Sequence, residues 1–518
     1  MIGIIPAAGK GTRFKELGKL YSKTILPYKG KPLLIHQIEY MEKHGVSDIR
    51  VVLGHQAEET EHILKIYDKH PEIVIQKEQA GLSHAVYCAL KETDKDPVLI
   101  VLGDILPQDN LTFEESFISY QVVPDFSRWC MAKTKPDSFM LDVLLDKPQE
   151  DPNTNKALSG IYFFKKSNLL RSLIHTQLDK NERIAKEFQI STAISQYNKQ
   201  YPIALKEIRI RDFGTLEEYL ANRDVSISRS FNTIQELNDG YVIGKFSKNN
   251  AQKILDEYNW YKSLPETMQR FTPRIYGPIK INVSGGQNLG TCYTMEKIFA
   301  PTLKELYLFL DSSYETWLEI YKSIKEFLDK ERYYCVPNNF LKLAYDKTES
   351  RIKQLPEKYQ NNMDVNEFMS MFKDEIKNFI HEDYSLMHGD LCFSNIFYDF
   401  TKKQICVIDP RGQMFGSKYY EYAKLMHSAI YDYDFIDAEL YIKTDTETVI
   451  YNNGKDGARK AFNEFIEASL SKKEINFVRL VCASLFLSMI PLHSHNKTNQ
   501  ELYFKTFKKV FKDYKNAR

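Results

Sequence analysis

The sequence predicts an α/β chain in two parts, a front part on a mixed, mostly parallel sheet and a back part in which a small antiparallel sheet leads into a helical lobe. Three observations predict it. Ile2 to Pro6, Asp48 to Leu53 and Pro97 to Leu102 are short apolar runs, the pattern of strands buried on both faces, and Ile63 to His70 has helical spacing between them. Phe231 to Leu237 and Gly240 to Ser247 flank an Asn238-Asp239-Gly240 turn and read as antiparallel strands. From Thr302 a helical lobe runs to the end, interrupted by Ile396 to Tyr398 and Ile405 to Ile408, two apolar runs around a turn that read as a hairpin.

With 518 residues the chain exceeds one ordinary core, and length alone suggests about three to four domain-sized units. Lys and Arg total 70 against 69 for Asp and Glu, so no general charge draws the chain to nucleic acid or to an anionic membrane. Seven Cys without a C-x-x-C pair fit reduced thiols, and Met1 to Pro6 is no signal peptide, so a cytoplasmic protein is expected. The longest apolar run, Leu480 to Leu492, is short for a bilayer span and reads as a buried helix.

In the front half, Ile2 to Pro6 opens into Ala7-Ala8-Gly9-Lys10-Gly11-Thr12-Arg13. Glycines let backbone N–H groups approach phosphate oxygens, so this reads as a phosphate cradle, although it is neither a Walker loop nor the dinucleotide G-x-G-x-x-G. Gln79 to Val86 is a loop leading into a helix, where Ser83 and His84 also suit a helix start. Pro97 to Leu102 ends at Gly103-Asp104, and ligands of open α/β sheets gather at that carboxyl edge, which makes Asp104 a candidate metal ligand. A second carboxylate, Asp212, precedes Phe213-Gly214-Thr215, with Thr215 and Glu218 spaced as a capping box.

Gly9-x-Gly11-Thr12-Arg13 with Ser22-Lys23-x-x-Leu26-Pro27 resembles the nucleotidyltransferases that make nucleoside-diphosphate sugars and CDP-alcohols, over roughly Met1 to Arg223. The resemblance implies a Rossmann-like domain in which Ala8, Gly9, Gly11, Thr12, Gln79 and Gly81 bind the nucleotide. It makes Asp104 and Asp212 magnesium ligands, with Lys23 and Arg13 taking up charge on the pyrophosphate leaving group. Asp146, Lys147 and Gly160 would meet the acceptor, with Asp146 standing where the family usually has Glu and Leu216 where it has Pro. Glu187 either lines that pocket or sits on a solvated helix face, the second being the plainer reading.

In the back half, Asp390, Asn395 and Asp409 fall on one edge of the hairpin expected around 396–408. Phosphoryl transfer from ATP needs a carboxylate to orient and deprotonate a hydroxyl, and oxygen ligands to hold magnesium across the phosphates. His388-Gly389-Asp390-Leu391 with Asn395 and Ile408-Asp409-Pro410 resembles the aminoglycoside phosphotransferase and choline kinase family, with Gly389 where protein kinases carry Arg. The resemblance implies a two-lobed, protein-kinase-like α+β domain with Asp390 as catalytic base and Asn395 and Asp409 on magnesium. Lys245 stands in a Val-Ile-x-Lys context, and Glu257, on a helix face with Ile254 and Tyr261, is its expected ion-pair partner. Cys292 to Lys297, including Glu296, would form the adenine-binding hinge, and Ser228-Arg229-Ser230 would cover the phosphates. Aromatics from Tyr307 to Tyr334 and Tyr419 to Tyr433 are core, or a cage for a quaternary ammonium.

The expected layout is a nucleotidyltransferase domain over 1–224 and a kinase-like domain over 225–518, with lobes at about 225–298 and 299–518. The expected function is bifunctional: ATP phosphorylates a small sugar or alcohol, and an NTP (UTP, dTTP, CTP or GTP) then condenses with that phosphate for surface polysaccharide synthesis, with Mg²⁺ as cofactor. Two alternatives stand beside it, a choline kinase joined to a CTP:phosphocholine cytidylyltransferase, and a chain in which one half is an inactive nucleotide sensor. No nucleic acid or membrane partner is expected, and a homo-oligomer is left open.

Overall fold

The computed structural model describes all residues except 10–22, 55–56, 92, 94, 185, 223–231, 238–241, 248–250, 283–287, 310–311, 332–337, 380–384, 444–446, 451 and 453. The Gly11, Thr12 and Arg13 cradle, the Asn238-Asp239-Gly240 turn and Ser228-Arg229-Ser230 therefore lie outside the described residues. The chain divides into two compact units, Met1–Arg223 and Asp224–Arg518, fewer than length alone suggested. The reason is that a single large sheet organises the whole of the first unit.

That sheet has nine strands: β1 (Ile2–Pro6), β2 (Asp48–Leu53), β3 (Glu72–Ile75), β4 (Val98–Val101), β6 (Phe117–Val122), β7 (Cys130–Thr134), β8 (Leu141–Asp146), β9 (Lys156–Phe164) and β10 (Ala204–Glu207). The main path runs β8-β7-β9-β4-β1-β2-β3, and β6 pairs with both β9 and β10. β1 pairs in parallel with β4 and β2, and β2 with β3, while β9 runs antiparallel to β4, β6 and β7. It is a mixed sheet around a parallel block. The four residues of β4 are all buried, because side chains cover both of its faces. Outside the sheet, β5 (Ile105–Pro107) pairs antiparallel with β11 (Ile210–Asp212), setting Asp212 opposite Ile105.

The second unit opens with a four-stranded antiparallel sheet in the order Asn232–Leu237, Val242–Ser247, Asn288–Glu296, Ile275–Asn282. The helix Ala251–Ser263 follows the second of these strands and buries Ile254, Glu257 and Tyr261. Thr302 starts the helical part: its N–H and Oγ1 donate to Glu305 Oε2 at 2.8 and 2.9 Å, capping Leu303–Phe309. The hairpin Ile396–Asp399 with Gln404–Val407 has Ile396 opposite Val407. Tyr307, Tyr321, Tyr419 and Tyr422 are fully buried and belong to the core. One stretch, Lys472–His493, is long and apolar enough to cross a membrane, but 67% of its most apolar window is buried inside the fold. The described cysteines at 88, 130, 392, 406 and 482 are unbridged.

Candidate active sites

In the first unit, β4 delivers Asp104 to the sheet edge, and the β5–β11 pairing brings Asp212 to it. Phe213 N–H donates to Asp104 O at 2.8 Å, fixing the two segments together. A Cβ added to Gly214 would lie 2.9 Å from Asp212 Oδ1 and 3.6 Å from Asp104 Oδ2, so the glycine lets the two carboxylates converge. Burial, then the carboxylates Glu218 and Asp104, push Asp212 up to about 6, against the pull of the Gly214 N–H at 2.7 Å. Crowded acids of this kind suit a hard divalent cation, which takes oxygen ligands and relieves the repulsion. Among the described residues no group of three or more His, Cys, Asp or Glu could hold a metal, so phosphate oxygens and water would complete the shell. Lys23 Nζ donates to Gly214 O at 2.7 Å and stands 3.7 Å from Asp104.

Two cavities meet at Asp104. The larger, about 510 Å³, is lined by Ala8, Gly9, Lys23, Gln79 and Gly81, and Gln79 Nε2 donates to Ala8 O at 2.6 Å to bind the two loops together. The smaller, about 320 Å³, is lined by Asp146, Lys147, Gly160, Asp212 and Glu218. Asp104, Leu82, Leu102 and Glu187 line both. Asp146 Oδ2 accepts from Ser191 Oγ at 2.8 Å, and Lys147 N–H is fastened to Trp129 O at 2.9 Å. Gly160 has φ +91°, and a Cβ there would meet Leu102 Cδ1 at 2.9 Å, so close packing within the protein already requires a glycine.

Glu187 is not on a helix. It closes a tight turn with Ile184, the two exchanging backbone hydrogen bonds at 2.9 and 3.1 Å, just before the helix Ile190–Gln200, and the next residue is tied across to Ala80 O by the Phe188 N–H at 2.9 Å. Thr215 and Glu218 form the capping box, with Thr215 N–H and Oγ1 both 3.1 Å from Glu218 Oε2. Arg128 pairs with Glu218 Oε1 at 3.0 Å in the smaller cavity, and nothing in the sequence around it marks it.

In the second unit, Lys245 makes the pair expected of it, donating to Glu257 Oε2 at 2.6 Å, with both side chains 1% exposed. It also donates to Asp409 Oδ1 at 2.8 Å, tying the sheet to the end of the hairpin. Asp409 has φ +58°, a conformation that Asp tolerates better than most residues. Asn395 Nδ2 donates to Asp390 O at 2.8 Å and Oδ2 at 3.2 Å, and Ile408 N–H donates to Asn395 O at 2.9 Å. Asp390, Asn395 and Asp409 are thus held on adjoining backbone.

His388 is buried and neutral. Its Nδ1 faces the Asp390 N–H at 3.3 Å and so accepts, which leaves Nε2–H to donate to Ile408 O at 2.9 Å; burial lowers its pKa to about 4. The Glu296 N–H is already bonded to Arg274 O at 2.9 Å, and its side chain is exposed. Lys424, absent from the sequence reading, sits 2.8 Å from Asp390 Oδ1. Glu421, Lys424 and His427 recur at three-residue spacing in the helix Lys418–Ala429, a polar stripe that could have flagged it.

Residues 2–226 match the model of the nucleotidyl transferase family. The first unit is therefore a nucleotidyl transferase domain. The bifunctional protein GlmU of Methanococcus maripaludis is 31% identical over 185 residues, 34% of this chain and 44% of that one. The low-salt glycan biosynthesis nucleotidyltransferase of Haloferax volcanii is 30% identical over 177 residues, 32% of this chain and 49% of that one. The chain spans about half the length of the curated relatives it matches. A solved UDP-glucose pyrophosphorylase complexed with UDP-glucose is similar at 22% identity and a TM-score of 0.36, over 42% of this chain and 95% of that one.

Proposed function

We propose that the chain is a bifunctional enzyme whose second unit phosphorylates a small hydroxyl compound with ATP and whose first unit joins the product to an NTP, giving an NDP-sugar or CDP-alcohol for surface polysaccharide synthesis. The observation that carries the transferase half is Asp104, which lines both cavities with Asp212 beside it. The nucleotide takes the larger cavity and the acceptor phosphate the smaller. An acceptor phosphate oxygen then forms a bond to the α-phosphorus while the bond to the β-phosphate breaks, and pyrophosphate leaves. Lys23, close to Asp104 and the Gly214 carbonyl, meets the charge on the leaving group, together with Arg13. Asp104 and Asp212 would hold a magnesium ion, which would supply Lewis-acid polarisation of the α-phosphate.

In the second unit Asp390 takes the proton of the substrate hydroxyl as it attacks the γ-phosphorus and ADP departs. Lys424, 2.8 Å away, pairs with that carboxylate and aims it. Lys245 holds Asp409, which with Asn395 would coordinate magnesium on the phosphates. To test the scheme, the purified chain is given Mg²⁺, ATP, each NTP and a broad panel of sugars and alcohols. ADP and pyrophosphate should both appear, in that order of dependence; no NDP product across the panel would end the proposal.

A further inference from the structure

The cavity beside Asp390 encloses about 220 Å³ and is lined by Lys253, Lys347, Arg411 and Lys424 against only Asp390 and Asp409. Both carboxylates are already matched, Asp390 by Lys424 at 2.8 Å and Asp409 by Lys245 at 2.8 Å. Lys253 leans on Glu257 at 3.7 Å. Lys347 and Arg411 are left over. Among the described residues neither makes an ion pair.

Among the described residues Asp390 pulls on Lys347, but Lys424 already holds that carboxylate at 2.8 Å. Glu421 accepts from the Gly389 N–H at 2.6 Å, and burial raises its carboxyl well above the usual carboxylate range, which weakens it as a counter-charge. Lys347 lines the cavity, and desolvation, then Arg411, Lys424 and Arg351, push its pKa down to about 8 against the pull of Asp390. Cations gathered without counter-charge are what an anionic ligand relieves.

The aromatic rings exclude the opposite ligand. A quaternary ammonium needs uncovered aromatic faces. Among the described residues Tyr420 is the aromatic residue lining this cavity, and the Arg411 guanidinium already lies 5.8 Å from its ring and 5.1 Å from that of Phe340. The protein's own cation takes the place that choline would use.

We infer that the hydroxyl compound phosphorylated at Asp390 is itself an anion, a small polyol bearing a carboxylate or a phosphate that Lys347 and Arg411 grip while its hydroxyl meets Asp390. This rests on the kinase reading of the second unit, and the experiment separates the two. The intact chain, loaded with magnesium and a non-hydrolysable ATP analogue, is titrated calorimetrically at fixed ionic strength with glycerol 3-phosphate, D-glycerate, glycerol and choline. At least one anion should bind about tenfold more tightly than glycerol or choline, and Lys347→Gln should weaken that anion about fivefold while changing affinity for the ATP analogue less than about twofold. The two anions tell phosphate from carboxylate. Binding of choline or glycerol as tight as that of the tighter anion, binding of neither anion, or a Lys347→Gln effect on the ATP analogue alone would overturn the inference. Anion binding with no ADP release from ATP leaves the anion site standing and removes the kinase reading.

Discussion

The two candidate sites handle their carboxylates in opposite ways. In the first unit Asp104, Asp212 and Glu218 crowd together, and burial, then the repulsion of Glu218 and Asp104, pushes Asp212 up to about 6. In the second, Lys245 and Lys424 each stand 2.8 Å from an acid, so Asp409 and Asp390 are neutralised before any ligand arrives. The first site is held together by backbone pairing that leaves its acids crowded. The second is wired by buried ion pairs that also hold the fold. Removing a charge should therefore cost activity in the first unit and both activity and stability in the second.

The largest expected effect breaks the chain into two independent activities. Asp390→Asn should cut ADP formation about a thousandfold and leave nucleotidyl transfer onto a supplied phosphate intact, and Asp104→Asn should do the reverse. Assays of both products in each variant check this; loss of both activities in either one contradicts separate sites. Next comes stability. Lys245→Met strands the buried Glu257 carboxylate and should cost about 3–5 kcal/mol in the unfolding transition of the second unit, most of it regained on adding Glu257→Gln. Lys23→Met, whose partner Asp104 is 30% exposed, should cost less than about 1 kcal/mol. Equal losses in the two variants, read by urea denaturation, would erase the contrast.

Gly160→Ala should cost about 1–3 kcal/mol through its φ of +91° and the Leu102 contact, raising KM for the acceptor phosphate more than for the NTP. The smallest effect sharpens the electrostatic half of the comparison. Asp212 binds a proton below about 6 and then cannot bind a cation, so Mn²⁺ affinity should fall about tenfold per pH unit below that point. Glu218→Gln removes the nearest like charge and should move the break to lower pH. A break that stays in place, followed by the paramagnetic signal of free Mn²⁺, would remove Glu218 from the account.

Much of this was legible because it is local. The apolar run before Asp104 announced a buried strand and the edge where it ends, and β4 fills that role. The helix register that set Ile254, Glu257 and Tyr261 on one face pointed Glu257 at Lys245, and all three are buried. Glu187 failed the same kind of reading, since a hydrogen bond to Ala80, distant in sequence, held its segment out of the helix. Arg128 and Lys424 left no comparable mark: a charge on a loop or helix looks like a solvated one until its partner is known.

By itself, then, the order of residues determined the strands, the helix faces, the cap at Thr215, the start of the helical lobe at Thr302 and the acids at the ends of strands, because each depends on neighbours within a few positions. Only the tertiary structure decided that Asp104 should meet Asp212, that Lys424 should answer Asp390, and that Lys347 and Arg411 should share one cavity without a counter-ion. Those pairings join segments far apart in the chain, and a charge takes its chemical meaning from what folding sets within a few ångströms of it.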